Sequence, residues 1–138
     1  MPRNDTEVAR LSGTRVLVAE DEALIALELE AILGDLGCLV LGPTNSVTGT
    51  LGLLDTDPPP DAALLDARLL DGWVTPAVEA CLARGVPFAL ATGYDEDMIM
   101  EPVLLVAMHL TKPFSVEELR RVLVALVTPR PASQAGEA

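Results

Sequence analysis

The stretch VLVAEDEALIALELEAILGDLG, Val16 to Gly37, decides the fold. Its first four residues, Val16 to Ala19, form an apolar run of the kind found in parallel strands buried on both faces. Two carboxylates follow at once, Glu20 and Asp21. From Ala23 to Leu36 the spacing changes. Ile25, Leu29, Ile32 and Leu36 recur by threes and fours, which is the stripe of an amphipathic helix. Gly37 then stands where a helix is commonly closed by a left-handed residue. A strand hands over to a helix across two adjacent negative charges.

The same alternation continues along the chain. Leu39 to Leu41 reads as a second strand, closed by Gly42-Pro43, and Ser46 to Leu54 as a helix weakened by Gly49 and Gly52. Asp57 and three prolines break the pattern. Ala62 to Leu65 is a third apolar run, ending on Asp66. Val74 to Arg84 reads as a helix with Pro76 in its first turn and Gly85 after it. Phe88 to Ala91 ends on Thr92, and His109 to Thr111 ends on Lys112-Pro113. Ser115 and Glu118 form a capping-box pattern that opens a last helix through Val127. Asp95 to Met100 begins a helical pattern that Pro102 interrupts, while Val103 to Met108 fits helix or strand. A short or irregular fourth helix is expected there. Strand and helix in turn imply an open parallel α/β sheet covered on both faces. Residues 1–13 and 128–138 are expected to be flexible tails around one domain, 14–127.

The composition narrows the function. The chain has 138 residues, half of them hydrophobic and only 3% aromatic, enough for one domain with a core. Its formal net charge of −12 repels nucleic acid, and Arg120-Arg121 is the one adjacent basic pair. Cys38 and Cys81 form no CxxC pattern and read as small buried hydrophobes. No cleavable signal or membrane-length apolar run is visible, so a cytoplasmic protein without a membrane role is expected. The single His109 leaves no His-rich metal site; inside a strand it reads as a packing residue, as does Trp73 before the third helix.

In open α/β sheets, ligands bind beyond the carboxyl ends of the strands. Folding would gather Glu20, Asp21, Asp66, Thr92 and Lys112 at that edge. Carboxylates so close repel, by roughly 4 kcal/mol per pair at 4 Å in an effective dielectric near 20. Uncompensated, one would stay protonated. A divalent cation removes the conflict, and oxygen-only ligands point to Mg²⁺. Mg²⁺ commonly pairs with phosphate, which suggests phosphoryl chemistry. Asp66 is then the candidate nucleophile, able to form an acyl phosphate. Lys112 would neutralise phosphoryl charge, and Thr92 could donate a hydrogen bond.

VLVAEDE, ALLDARLLDG, ALATGY and LTKPF together resemble the receiver domain of two-component response regulators, over about Thr14 to Val127. The resemblance implies the flavodoxin-like strand order 2-1-3-4-5. It implies Asp66 as phosphoacceptor, and Glu20, Asp21, Asp66 and the backbone carbonyl of Arg68 as Mg²⁺ ligands. It assigns Thr92 as the switch hydroxyl and Lys112 as the family's lysine, with a cis Lys112-Pro113 bond. The partners implied are a histidine kinase or histidine phosphotransfer protein, and an output protein; oligomeric state is left open. His109 occupies the usual aromatic switch position, and Tyr94 follows the threonine instead. The ATGY stretch resembles a single-domain receiver group common in alphaproteobacteria. With no output domain expected after Val127, the signal would pass by protein contact, or the chain would act as a phosphate sink. Two rivals stand beside this reading. One is a receiver-fold binding module that needs no phosphate. The other is a Mg²⁺-dependent aspartyl phosphohydrolase, against which stands Arg68, where haloacid-dehalogenase-type enzymes carry a second aspartate.

Overall fold

The computed structural model describes residues 11–93, 102–105 and 107–128. The expected tails, apart from Leu11 to Gly13 and Thr128, fall outside these residues, as do Tyr94 and the Asp95 to Met100 segment. In chain order the elements are β1 (Arg15–Ala19), α1 (Ala23–Asp35), β2 (Leu39–Thr44), α2 (Val47–Leu54) and β3 (Ala62–Asp66). Then come β4 (Arg68–Leu69), β5 (Gly72–Trp73), α3 (Thr75–Arg84), β6 (Phe88–Thr92), α4 (Pro102–Leu105), β7 (Met108–Thr111) and α5 (Val116–Val127). Five strands form one parallel sheet in the order β2-β1-β3-β6-β7, which is 2-1-3-4-5 when only its own strands are counted. The expected α/β architecture is the observed one.

Each strand turns alternate side chains to opposite faces, so the sheet builds two cores. On one face Leu17, Ala63, Leu65 and Leu90 pack with Leu54, Val78 and Leu104, from α2, α3 and α4. On the other, Val16, Val18 and Leu64 pack with Leu29, Leu33, Leu119 and Leu123, from α1 and α5. Leu33 and Leu119 are fully buried, each worth about 2 kcal/mol of burial. Leu11 joins this second core at 1% exposure, and the Gly13 N–H donates to the Gly37 carbonyl at 2.8 Å. Within the expected N-terminal tail, Leu11 is therefore packed and Gly13 is held by its backbone, while the Ser12 side chain is exposed. Cys38 and Cys81 are both buried free thiols, and burial pushes Cys81 up to about 12. They behave as the small hydrophobes expected of them.

Helix ends follow their sequence signals. Ser115 Oγ accepts from the Glu118 N–H at 3.0 Å while Glu118 Oε1 accepts from the Ser115 N–H at 3.2 Å, closing the capping box of α5. Gly85 closes α3 at φ +68°. The described part of the fourth helix is the four residues of α4. His109 is a half-buried β7 residue whose Nε2 lies 2.9 Å from the Leu104 carbonyl oxygen.

Two features depart from the expectation. First, β2 does not close at Gly42-Pro43 but runs on to Thr44. The register slips there, from Leu17 opposite Leu41 to Ala19 opposite Thr44, so the dipeptide is a bulge within the strand. Gly42 has φ +93°, and a Cβ there would lie 2.9 Å from the Thr44 nitrogen, so no other residue fits. Second, the segment after Asp66 is a small antiparallel hairpin. Arg68 pairs with Trp73 and Leu69 with Gly72, turning through Leu70 and Asp71. Trp73 packs against the core as expected, but from β5, with the Arg68 guanidinium 5.5 Å from its ring centroid.

Candidate functional site

The site grows from where the strands stop. β1 ends at Ala19, so Glu20 and Asp21 begin the loop into α1. The bulged β2 holds that loop, because the Glu20 N–H donates to the Thr44 carbonyl at 2.9 Å. Glu20 turns inward, 2% exposed, and its Oε2 accepts from the Glu22 N–H at 3.0 Å. Asp21 stays exposed, and its N–H reaches Asp66 Oδ2 at 3.3 Å. Asp66 is the last residue of β3 and is buried. Lys112 follows β7, and its ammonium lies between the two buried carboxylates, 2.9 Å from Glu20 Oε1 and 2.8 Å from Asp66 Oδ1. Thr92 ends β6, buried, one residue past Ala91, the β6 partner of Asp66, and its carbonyl accepts from the Lys112 N–H at 2.7 Å. All five side chains singled out in the sequence thus stand at one edge of the sheet. Arg68 is there too, exposed and two residues beyond Asp66.

The electrostatics of the site are in conflict. One oxygen from each of Glu20, Asp21 and Asp66 lies within 4.8 Å of the others. Burial, and next the Glu20 carboxyl beside it, push Asp66 up to about 9 against the pull of Lys112. Burial also opposes the charge on Glu20, but contact with Asp66, the Glu22 N–H and Lys112 holds it below the usual carboxylate range. Of the two buried acids, the conflict therefore falls harder on Asp66. For Lys112, burial is outweighed by the two carboxylates, which hold its ammonium above the ordinary lysine value. Glu20 Oε1 is a buried oxygen that receives no well-directed hydrogen bond among the described residues, although the Lys112 ammonium is near. One lysine against three carboxylates leaves net negative charge and an unfilled acceptor. This donor set, all oxygen and partly buried, fits a hard divalent cation.

Beside Lys112 opens a groove of about 330 Å³ lined by Ile25, Glu28, Leu29, Ile32, Pro113 and Val116, among others. No described helix is long and apolar enough to cross a membrane.

The sequence did not reveal Asp71 as a structural anchor. Its carboxylate accepts from the Val47 N–H at 2.6 Å, the Thr48 N–H at 3.2 Å and the Thr48 hydroxyl at 3.3 Å. The signal available was the Asp71-Gly72 pair, a turn dipeptide. Nothing local says which distant helix the turn would cap.

No protein-family model matches the chain. The solution structure of SdrG from Sphingomonas melonis Fr1 aligns at a TM-score of 0.72 and 37% identity, over 84% of this chain and 98% of that one. The receiver domain of the response regulator PhyR from Erythrobacter litoralis aligns as well, at a TM-score of 0.70 and 28% identity over 88% of this chain and 98% of that one. The chain belongs to the response regulator receivers. SdrG of Pseudomonas melonis Fr1 in the BeF3-activated conformation matches this receiver at 36% identity over 85% of this chain and 98% of that one, TM-score 0.70. The phyllosphere-induced regulator PhyR of Methylorubrum extorquens is 32% identical over 85% of the receiver and 45% of its own length. The chain spans about half the length of the curated relatives it matches. The receiver domain of the sensor histidine kinase PA1611 from Pseudomonas aeruginosa PAO1, solved with a magnesium ion in its active-site cleft, aligns at a TM-score of 0.71 and 26% identity, over 84% and 98% of the two chains. The receiver fold is that of a signalling domain rather than a turnover enzyme.

Proposed function

We propose that this receiver takes a phosphoryl group from a phosphohistidine onto Asp66, in a Mg²⁺-dependent reaction. The observation that carries the reading is the Lys112 ammonium bridging Asp66 Oδ1 and Glu20 Oε1. It brings a nucleophilic carboxylate, an acidic pair and a fixed cation to one point. The donor would be a histidine kinase or a histidine phosphotransfer protein, approaching along the groove between α1 and the segment after β7. Glu20, Asp21, Asp66 and the Arg68 backbone carbonyl would hold the metal. When bound, Mg²⁺ would neutralise carboxylate and phosphoryl charge. The magnesium site of the PA1611 receiver and the BeF3-activated form of SdrG support this assignment.

An ionised Asp66 oxygen then attacks phosphorus in line. The P–N bond to the donor imidazole breaks, and the imidazole leaves with the electron pair. Lys112 balances charge on the equatorial oxygens, and Thr92 donates its hydroxyl hydrogen to one of them. Because the new group carries more charge than the carboxylate it replaces, Thr92 and Lys112 are drawn toward it. The face formed by β6, β7 and their helices would then change its affinity for a partner, or the chain would serve as a sink for phosphate. The ATGY stretch supports extending the reading to the single-domain group named above, acting in the cytoplasm, with Arg68 two residues beyond the acyl phosphate. The test is phosphotransfer from candidate kinases to the wild type and to Asp66→Asn, with and without Mg²⁺. Label should appear on the wild type only, and only with metal. Equal labelling of Asp66→Asn would sink the assignment.

A further inference from the structure

The loop that follows Asp66 has an unusual amount of support for its size. A hairpin of two residues per strand is marginal alone. Here the Val74 N–H closes its base onto the Ala67 carbonyl at 2.9 Å, and Leu69 is buried in the core. Its turn is fastened at a distance. The Leu70 N–H donates to the Asn45 carbonyl at 3.2 Å, and the Asp71 carboxylate takes the N–H groups of Val47 and Thr48 and the Thr48 hydroxyl. Ser46 Oγ accepts from the next N–H, that of Gly49, at 2.9 Å. The first three N–H groups of α2 are therefore all satisfied, two of them by a residue more than twenty positions away.

The same corner also holds the other side of the acidic cluster. Thr44 immediately precedes it, and its carbonyl accepts the Glu20 N–H. The corner is tight: a Cβ on Gly49 would lie 2.1 Å from Thr44 Oγ1. So the Glu20-Asp21 loop and the Arg68 hairpin are both referenced to residues 44–48, the first by one backbone bond and the second by the Leu70 N–H and the Asp71 carboxylate.

We infer that Asp71 is a positioning residue for divalent-cation binding. Its carboxylate clasps the β4–β5 turn to the first turn of α2 and so sets the spacing between the Arg68 backbone and the Glu20-Asp21 loop. The inference rests on the proposed Mg²⁺ site and adds a residue that touches no ligand. Because Asp71 carries its charge outside the cluster, its effect on the metal is exerted through backbone placement.

The test is calorimetric titration of Mg²⁺ into the wild type, Asp71→Ala, Asp71→Asn, Ser46→Ala and Asp66→Asn. Emission of Trp73, the single tryptophan and a hairpin residue, is recorded before metal is added. Ser46→Ala removes a cap from the same helix without touching the hairpin, so it controls for a weakened α2. Asp71→Ala should raise the Mg²⁺ Kd roughly tenfold, the low end for residues that support ligands from outside. Asp71→Asn, which keeps one acceptor, should raise it less, and Ser46→Ala should leave it unchanged. Trp73 emission should shift in metal-free Asp71→Ala and not in Ser46→Ala. The inference is overturned by equal Kd values for wild type and Asp71→Ala, or by the same loss in Ser46→Ala. If Asp66→Asn alone weakens Mg²⁺, only the positioning role falls. If the wild type takes up no Mg²⁺, the metal site falls and this inference with it.

Discussion

Asp66 and Asp71 lie five residues apart and hold their carboxyl groups in opposite ways. Asp66 ends a central strand, where burial and the Glu20 carboxyl beside it make its charge costly. Asp71 sits in an exposed turn, where backbone N–H groups, that of Val47 foremost, hold its carboxyl below the usual range. One site is left in conflict and the other is fully satisfied. The difference lies in what surrounds each group, since both are the same amino acid. Conflict marks the place that a ligand can relieve, whereas satisfaction marks the place that holds the backbone still.

The largest expected effect comes from removing the cation that tempers the conflict. Lys112→Ala should destabilise the metal-free protein by about 3 kcal/mol, as for breaking a buried ion pair. Urea unfolding with 1 mM chelator measures it. A loss under about 1 kcal/mol would mean that Lys112 is only a solvated strand-end lysine.

Next comes pH. In the metal-free fold Asp66 holds a proton up to about 9, whereas unfolded it loses it near 3.8. Between those values the folded state binds the extra proton, so stability should fall as pH rises. Glu20 is shifted the other way, and its contribution is lost only as pH falls below its unfolded value of 4.5, outside most of this window. Asp66→Asn should flatten the slope, and saturating Mg²⁺ should reduce it. Asp71 sharpens the contrast, because its lowered pKa stabilises the fold above 3.8 and that contribution is lost on acidification. Asp71→Asn should remove part of the acid limb and leave the slope from pH 5 to 8 intact. Unfolding curves at successive pH values separate the two limbs.

The smallest effect tests the corner that both loops share. Replacing an interior helical glycine by alanine ordinarily stabilises a helix. At Gly49 the new Cβ would collide with Thr44 Oγ1, so Gly49→Ala should instead cost about 1 kcal/mol. Thermal unfolding decides the sign, and a stabilised variant would show that the corner has room to give.

Much of this was readable in the linear chain because it depends on neighbours in sequence. Apolar runs that end on Glu20, Asp66, Thr92 and Lys112 mark strands whose carboxyl ends must meet once the sheet is parallel. Ser115 and Glu118 cap their own helix. The bulge at Gly42-Pro43 was hidden because a glycine-proline pair reads as a stop, and only pairing with β1 shows the strand continuing. The hairpin of Arg68 to Trp73 was hidden because two-residue strands carry no periodicity.

By itself, then, the sequence determined the order of strands and helices, the two-sided core, and which polar groups arrive at one edge. These follow from hydrophobic period and from where each run stops, both local quantities. Tertiary structure alone decided that burial sets Asp66 against its own charge, that Lys112 reaches both Asp66 and Glu20, and that Asp71 caps a helix formed more than twenty residues earlier. Those outcomes depend on distances and on exclusion of water, which exist only after remote segments have packed together.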